Sequence, residues 1–164
     1  MGFAKKYYFV LLLISLLFTA CNQEQHTNGD LGSVYFNALD SIMVKDEALN
    51  SEMRFIALDL TIVKELSEND KKEIKLFLKD KYGVDVIEAT LKKLKHKGMY
   101  NTKTMVLHGV LLKLEKAKFI SNNKAFEFEG SKYRAGNGAV GVKGKLLYRD
   151  GKWQPFEIQE IWVS

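Results

Sequence analysis

Two hydrophobic rhythms divide the chain, a helical one in its first half and a strand-like one in its second. Over residues 34–49, Tyr35, Leu39, Ile42 and Leu49, joined by Phe36 and Met43, recur at helical spacing behind Ser33, a good N-cap. This predicts an amphipathic helix whose wet face carries Asp40, Lys45, Asp46 and Glu47. Residues 54–63 (RFIALDLTIV) form a compact apolar run with β-branched members. It reads as a buried strand with Ile56, Leu58, Leu60 and Ile62 on one side of the pleat. A helix through Met53, Ile56, Ala57, Leu60 and Val63 fits the same residues, and periodicity alone does not choose. Ser67-Glu68-Asn69-Asp70 then supplies an N-cap and an acidic first turn. The stripe Ile74, Phe77, Leu78 and Tyr82 follows, and Gly83 is placed to stop the helix. A short strand over 84–88 completes a strand, helix, strand unit with parallel strands expected. Thr90 caps a short helix reaching Lys97, with Gly98 closing it.

Beyond Thr104 the period falls to two. Residues 106–119 are apolar on both faces at first and then alternate through Leu112, Leu114 and Lys116, as in a strand leaving a core. Asn122-Asn123 suits positive φ, and residues 124–129 set Phe126 and Phe128 against Glu127 and Glu129. Asp150-Gly151 is a strong hairpin signal between strands over 139–149 and 152–163. Pro155 has no amide hydrogen, so the last strand lies at an edge or bulges there. A bulge would bring Trp153 into phase with Phe156, Ile158 and Trp162. The fold class implied is α+β, a mixed sheet with a C-terminal antiparallel meander packed by two or three helices.

The N-terminal stretch follows neither rhythm. Lys5 and Lys6 precede the apolar run YYFVLLLISLLFTA, residues 7–20. That run is shorter than the roughly 18–20 residues that span a bilayer, and it matches a secretory signal peptide. It leads into Cys21, the one cysteine of the chain, and then into the polar Asn22-Gln23-Glu24-Gln25. Leu17-Phe18-Thr19-Ala20-Cys21 resembles the bacterial lipobox, with Thr19 and Ala20 matching and Phe18 standing where leucine is usual. The resemblance implies cleavage before Cys21, a diacylglyceryl group on its sulfur, and a home on the extracytoplasmic face of the cell membrane. The expected organisation is a signal peptide over 1–20, a lipidated cysteine and flexible tether over 21–32, and a single α+β domain over 33–164. The tether has a root-mean-square reach of roughly 17–20 Å.

Removing the signal leaves about 140 residues, enough for one domain with a sizeable core. The formal charge falls from +5 to +3, because Lys5 and Lys6 depart and no acidic residue does. So mild a balance gives no support to a nucleic-acid partner. The charge is uneven, however. Residues 92–118 hold eight lysines (92, 93, 95, 97, 103, 113, 116 and 118) against Glu115 alone. They read as a solvated face, or as a basic surface that orients a tethered domain against anionic headgroups at about 1 kcal/mol per lysine.

Candidate chemistry is sparse. Gly136-Asn137-Gly138-Ala139-Val140-Gly141 has the spacing G-x-G-x-x-G, but a dinucleotide fingerprint must open a helix, and residues 142–149 read as strand. A kinase loop needs a large catalytic body after it. The same glycines supply turns, bulges or close backbone approach between two strands. With Lys132 and Arg134 beside them, Gly136, Gly138 and Gly141 are also the candidate ligand-binding residues, their amides facing an anion or a peptide carboxylate. His26, His96 and His108 form no metal-ligand spacing, so no metal or cofactor is expected. No G-x-S-x-G marks a nucleophile, and no catalytic residue is assigned. Asp59, inside an apolar run, is read as facing water at a strand end or capping a neighbouring amide, or else as a tuned acid.

The segment GSKYRAGNGAVGVKGKLLYRDGKW and the closing aromatic strand resemble small uncharacterised lipoproteins of Gram-positive bacteria, some labelled as transporter substrate-binding proteins. Such receptors usually need two lobes around a cleft, and this chain supplies about one. A helix followed by a long curved meander also looks like cystatin- or NTF2-like sheets, with the early parallel unit outside that pattern. The expected function is a non-enzymatic envelope module that binds a protein, peptide or wall component through its sheet or its glycine loop. The alternative is a small-ligand receptor or hydrolase with a sheet-lined pocket. An open groove favours the first and a closed apolar cavity the second.

Overall fold

A computed structural model describes residues 31–164. The expected signal peptide, Cys21 and most of the tether lie outside the described residues. The elements run α1 (Leu31–Met43), a short 3-10 turn (Glu47–Asn50), β1 (Phe55–Asp59), α2 (Glu68–Tyr82), β2 (Asp85–Glu88), α3 (Leu91–His96), β3 (Tyr100–Asn101), β4 (Val106–Ile120), β5 (Ala125–Ala135), β6 (Gly138–Arg149) and β7 (Lys152–Val163). They form a single mixed sheet ordered β2-β1-β4-β5-β6-β7, with β3 paired to β4. β1 is parallel to both its neighbours, and β4 to β7 form an antiparallel meander. The α+β reading holds.

Alternation in the strands sorts the apolar residues onto two faces. Ile56 and Leu58 of β1, with Val110, Leu112, Phe126, Phe128, Val140 and Val142, share one core with Tyr35, Leu39 and Ile42 of α1 and Ile74 and Leu78 of α2. Phe55 and Ala57 point the other way and join Leu94 of α3, Leu107 and Leu111 in a smaller core. α1 and α2 therefore cover one face, while α3 shields only part of the other. No helix among the described residues is long and apolar enough to cross a membrane.

Local signals place several boundaries as expected. The Ser67 hydroxyl accepts the Asp70 amide at 3.2 Å while the Asp70 carboxylate accepts the Ser67 amide at 2.8 Å, a reciprocal cap for α2. Gly83 ends that helix at φ 68°. The Thr90 hydroxyl caps α3, and the turns at Asn122-Asn123 and Asp150-Gly151 adopt positive φ.

Other boundaries differ, each for a tertiary reason. α1 begins at Leu31, so Leu31 and Gly32 belong to the helix rather than the tether, and Ser33 lies inside it. Leu31 stands one turn ahead of Tyr35 and packs against the same core. The helix also stops at Met43 instead of running to Leu49, which falls in the separate 3-10 turn. β1 ends at Asp59, where Asp59 accepts the Thr61 amide and hydroxyl. Leu60 and Val63 remain buried in the following turn, but Ile62 is exposed. Phe77 of α2 is also exposed on one side and leans on Phe36 of α1, with ring centroids 5.3 Å apart. β5 continues past Glu129 to Ala135, beyond its expected end.

β7 is both an edge and bulged. Its register against β6 slips at Phe156 and again at Ile161. The first slip aligns Trp153 with Ile158 on the core side, as expected, yet leaves Phe156 itself 58% exposed. The second turns Trp162 to the opposite face, correcting the expectation that it shares a side with Trp153.

The Met43 carbonyl at the stop accepts the Asn50 side-chain amide at 3.0 Å and a donor from a residue 89 positions away. Lys132, fully buried on β5, donates to the Met43 carbonyl (2.8 Å), the Asp46 carbonyl (3.0 Å) and the Asn50 side-chain oxygen (2.9 Å). A cation at a helix C-terminus complements the dipole and satisfies carbonyls that have no partner in the helix. Arg134, two residues on and therefore on the same face, donates to the carbonyls of Leu49 and Ser51. The two cations bind residues 43–51 to the sheet. Burial pulls the Lys132 ammonium down from 10.5 to about 8, against the opposing pull of Asp46, Glu47 and Glu160.

Two consequences follow for Lys132→Met. At pH 7 the variant loses three hydrogen bonds and leaves the Asn50 side-chain oxygen without its lysine donor, while the Met43 and Asp46 carbonyls keep the Asn50 side-chain amide and the Leu49 amide; it should unfold more easily by about 2 kcal/mol. Because the folded value is depressed, a further, proton-linked part of wild-type stability is fully present above 10.5 and is lost as pH falls through about 8, in addition to the hydrogen bonds that remain at pH 7. Denaturant unfolding at pH 7.5 and pH 10 should show wild type gaining on the variant by on the order of 2 kcal/mol at the higher pH. A gap that stays constant or narrows would refute this assignment.

Candidate functional site

The five residues expected to form an anion-binding loop lie in and around one hairpin but serve different surroundings. Lys132 and Arg134 face the helical layer, where carbonyls of residues 43–51 take up their donors. Gly136 sits in the turn between β5 and β6, and its amide donates to the Met105 carbonyl at 3.1 Å. Gly138 is buried beside the Leu49 side chain. Gly141, within β6, belongs to the opposite face under Trp162. All three glycines keep ordinary φ, and the G-x-G-x-x-G spacing runs from a turn into a strand rather than into a helix. Continuing the Phe126 and Phe128 alternation past Glu129 was the available signal that Lys132 points inward.

The half-open face of the sheet carries the more distinctive surface. Across β4 to β7 it presents two rows of charged or polar side chains. Lys118, Glu127, Lys145 and Glu157 are successive cross-strand partners, and so are Lys116, Glu129, Lys143 and Gln159. Lys116 meets Glu129 at 2.7 Å and Lys118 meets Glu127 at 3.1 Å. The hydrogen bond from Lys116 draws the Glu129 carboxyl below the usual range. Pairs as exposed as these add little stability, but they keep this part of the face wet.

Toward the other end of the strands the charge rows give way to an open groove of about 390 Å³. Leu111, Ser131, Tyr133 and Ala139 form its floor, and Thr90, Leu91 and Lys92 at the start of α3 form one wall. Trp162 forms the other. Its indole lies so close over Gly141 that a methyl group on that glycine would stand 2.1 Å from the ring nitrogen. Only a residue without Cβ lets the ring lie there. Asp59, Lys113 and Glu115 stand at the margin. The Tyr133 hydroxyl donates to the Met105 carbonyl at 3.2 Å and lies 3.4 Å from that of Tyr100. Burial, reinforced by Tyr100, pushes the Tyr133 hydroxyl up to about 12, so it stays neutral at physiological pH.

Beyond Trp162 the sheet ends. Among the described residues β7 has a neighbouring strand on one side only, so its outer backbone groups have no strand partner there. Phe156, Ile161, Trp162 and Val163 are exposed along this edge, at 58, 47, 43 and 68%. Pro155 and the two bulges, at Phe156 and Ile161, leave residues 157–160 in unbroken register with β6. Groove and edge together offer aromatic stacking, apolar contact and main-chain hydrogen bonds, which suit recognition of an extended chain.

No group of histidine, cysteine, aspartate and glutamate residues among the described ones is arranged to hold a metal ion. Comparison with protein-family models, with curated proteins and with solved structures finds no match.

The seat of Trp162 is open to a direct check, since the chain has two tryptophans and Trp153 is buried. In a Trp153→Phe background, Gly141→Val should lift the indole off the sheet and move its fluorescence to longer wavelength. Far-UV circular dichroism should be unchanged. An unshifted emission would mean that the ring does not rest on Gly141.

Proposed function

We propose that this chain is a lipid-anchored envelope protein, held on the extracytoplasmic face of the membrane through Cys21, whose domain binds an extended polypeptide along β7. The observation that carries the binding assignment is the edge itself. Its final eight residues combine unpaired backbone groups with four exposed apolar side chains beside an indole-walled groove. A peptide adding to such an edge draws affinity from main-chain hydrogen bonds and selectivity from the side-chain contacts on either face. The groove is open rather than enclosed, which favours a binding module over a small-ligand receptor or hydrolase. The location rests on the basic start, apolar run and lipobox-like Leu17-Phe18-Thr19-Ala20-Cys21. Two acyl chains at about 0.8 kcal/mol per buried methylene hold a protein on a bilayer without a spanning helix.

Each half has its own experiment. Mass spectrometry of protein from the producing cell should find residues 1–20 removed and Cys21 diacylated, and Cys21→Ser should release the protein from the membrane fraction. An unacylated chain with Met1 intact, recovered from cytosol, would end the lipoprotein reading. For binding, the wild-type protein crosslinked in intact envelopes should capture polypeptide partners that Ile161→Arg and Trp162→Ala lose. Leu76→Ala, which trims an equally exposed leucine on α2, should keep them. Retention of the same partners by all three variants would exclude β7 as the site.

A further inference from the structure

The eight lysines of residues 92–118 separate into two groups once folded. Lys113, Lys116 and Lys118 lie on β4 and are met by Glu115, Glu129 and Glu127. Lys92, Lys93, Lys95, Lys97 and Lys103 have no carboxylate within salt-bridge distance among the described residues, and all five are exposed. His96 is exposed among them, and Lys95 lies 4.8 Å over the Tyr100 ring. No acidic residue occurs from Ala89 to Leu112. The nearest acids are at the border. Asp59 and Glu115 share the groove with Lys92, while Glu88, already 3.5 Å from Lys71, shares a small recess with Lys93. Other lysines of the fold also lack an ion pair, but each lies in a stretch that holds acids, whereas residues 89–112 hold five lysines and no acid.

Its direction follows from α1. Tyr35 packs edge-on against Phe126 near the start of β5, and Met43 meets Lys132 near its end. The helix therefore runs along β5, and Leu31 lies by the turn ends of the meander. Met105 marks the far end, where its carbonyl accepts the Gly136 amide, and Lys103 is two residues away. From Phe126 to Ala135 the strand covers about 30 Å at roughly 3.3 Å per residue. α1 and α3 also pack on opposite faces of the sheet. The lysine pole is thus diagonally opposite the point where the described chain starts.

We infer that this pole is a binding site for a linear polyanion outside the membrane, not a surface that lies against anionic headgroups. The outward direction rests on the lipid-anchor reading above. The pole stands about the length of β5 away from where the described chain starts, and on the opposite face of the sheet. The binding itself rests on five exposed ammonium groups with no carboxylate at salt-bridge distance among the described residues. Compact cations on flexible stems gather around a short helix and fit the repeating charges of a polymer without fixed geometry. Counterion release on binding makes such an interaction salt-dependent.

Fluorescently labelled linear polyphosphate, titrated with the full chain in detergent and followed by anisotropy, tests this. Wild type should bind at low salt and weaken steeply as salt rises. The triple variant Lys93→Gln, Lys95→Gln, Lys97→Gln should bind at least about tenfold more weakly. A variant of equal charge change elsewhere, Lys64→Gln, Lys72→Gln, Lys124→Gln, should lose no more than about twofold. Equal losses in the two variants, or no binding by wild type, would overturn the site. So would a pole variant that keeps polyphosphate but loses anionic vesicles, since the surface would then belong against a membrane. If Cys21→Ser leaves cell fractionation unchanged while the pole still discriminates, the anchor reading fails and only the outward direction falls with it.

Discussion

The ammonium group of Lys132 lies where helix, loop and sheet meet, buried among the carbonyls of Met43 and Asp46 and the side-chain oxygen of Asn50. A charge taken from water into a core is costly unless every donor finds an acceptor. Here all three protons do, and one acceptor, the Met43 carbonyl, lies in the last turn of the helix, where no intrahelical partner reaches it. The exchange fixes where α1 stops and sends residues 44–51 across the end of the sheet. Arg134 fastens the same segment from two residues further along. With the helix end held, Ile42 can approach Gly130 so closely that a methyl group there would stand 2.6 Å from it, and Tyr35 reaches Phe126.

That attachment makes the sheet one-sided. α1 and α2 fill one face completely, so the opposite face and the last strand are left to interact with the surroundings. Most of the open face is protected by alternating lysine and glutamate rows, whose mutual attraction favours the folded register and whose hydration discourages stacking. The gaps in that protection are the groove under Trp162 and the outer edge of β7. With the β4 lysines paired, the acid-free α3 end is left as a basic pole of the described residues, far from where the described chain starts. Apolar edge and basic pole are separate surfaces of the described residues.

Much of the secondary structure was legible along the chain because its signals are local. Ser67 with Asp70, Gly83, Thr90, Asn122-Asn123 and Asp150-Gly151 each act within a few residues, and each operates as its type suggests. The end of α1 carries no such signal, since neither glycine nor proline follows Met43 closely and apolar spacing continues to Leu49. The anion-loop residues were misleading for a related reason. A lysine and an arginine near glycines look free in a list of letters, but strand alternation carries both into the helical layer. The edge site was half visible: Pro155 announced an edge or a bulge, while the second slip at Ile161, which turns Trp162 to the groove, leaves no mark in composition.

The chain alone therefore determined the α+β class, the parallel unit followed by a meander, the hairpin turns and the caps, because those depend on contacts a few residues apart. Only the tertiary structure decided which lysines are buried, paired or free, where α1 ends, and which face Trp162 occupies. Those outcomes depend on partners as many as 89 positions away, and on whether a carbonyl, a carboxylate or water is the nearest acceptor once the sheet has closed.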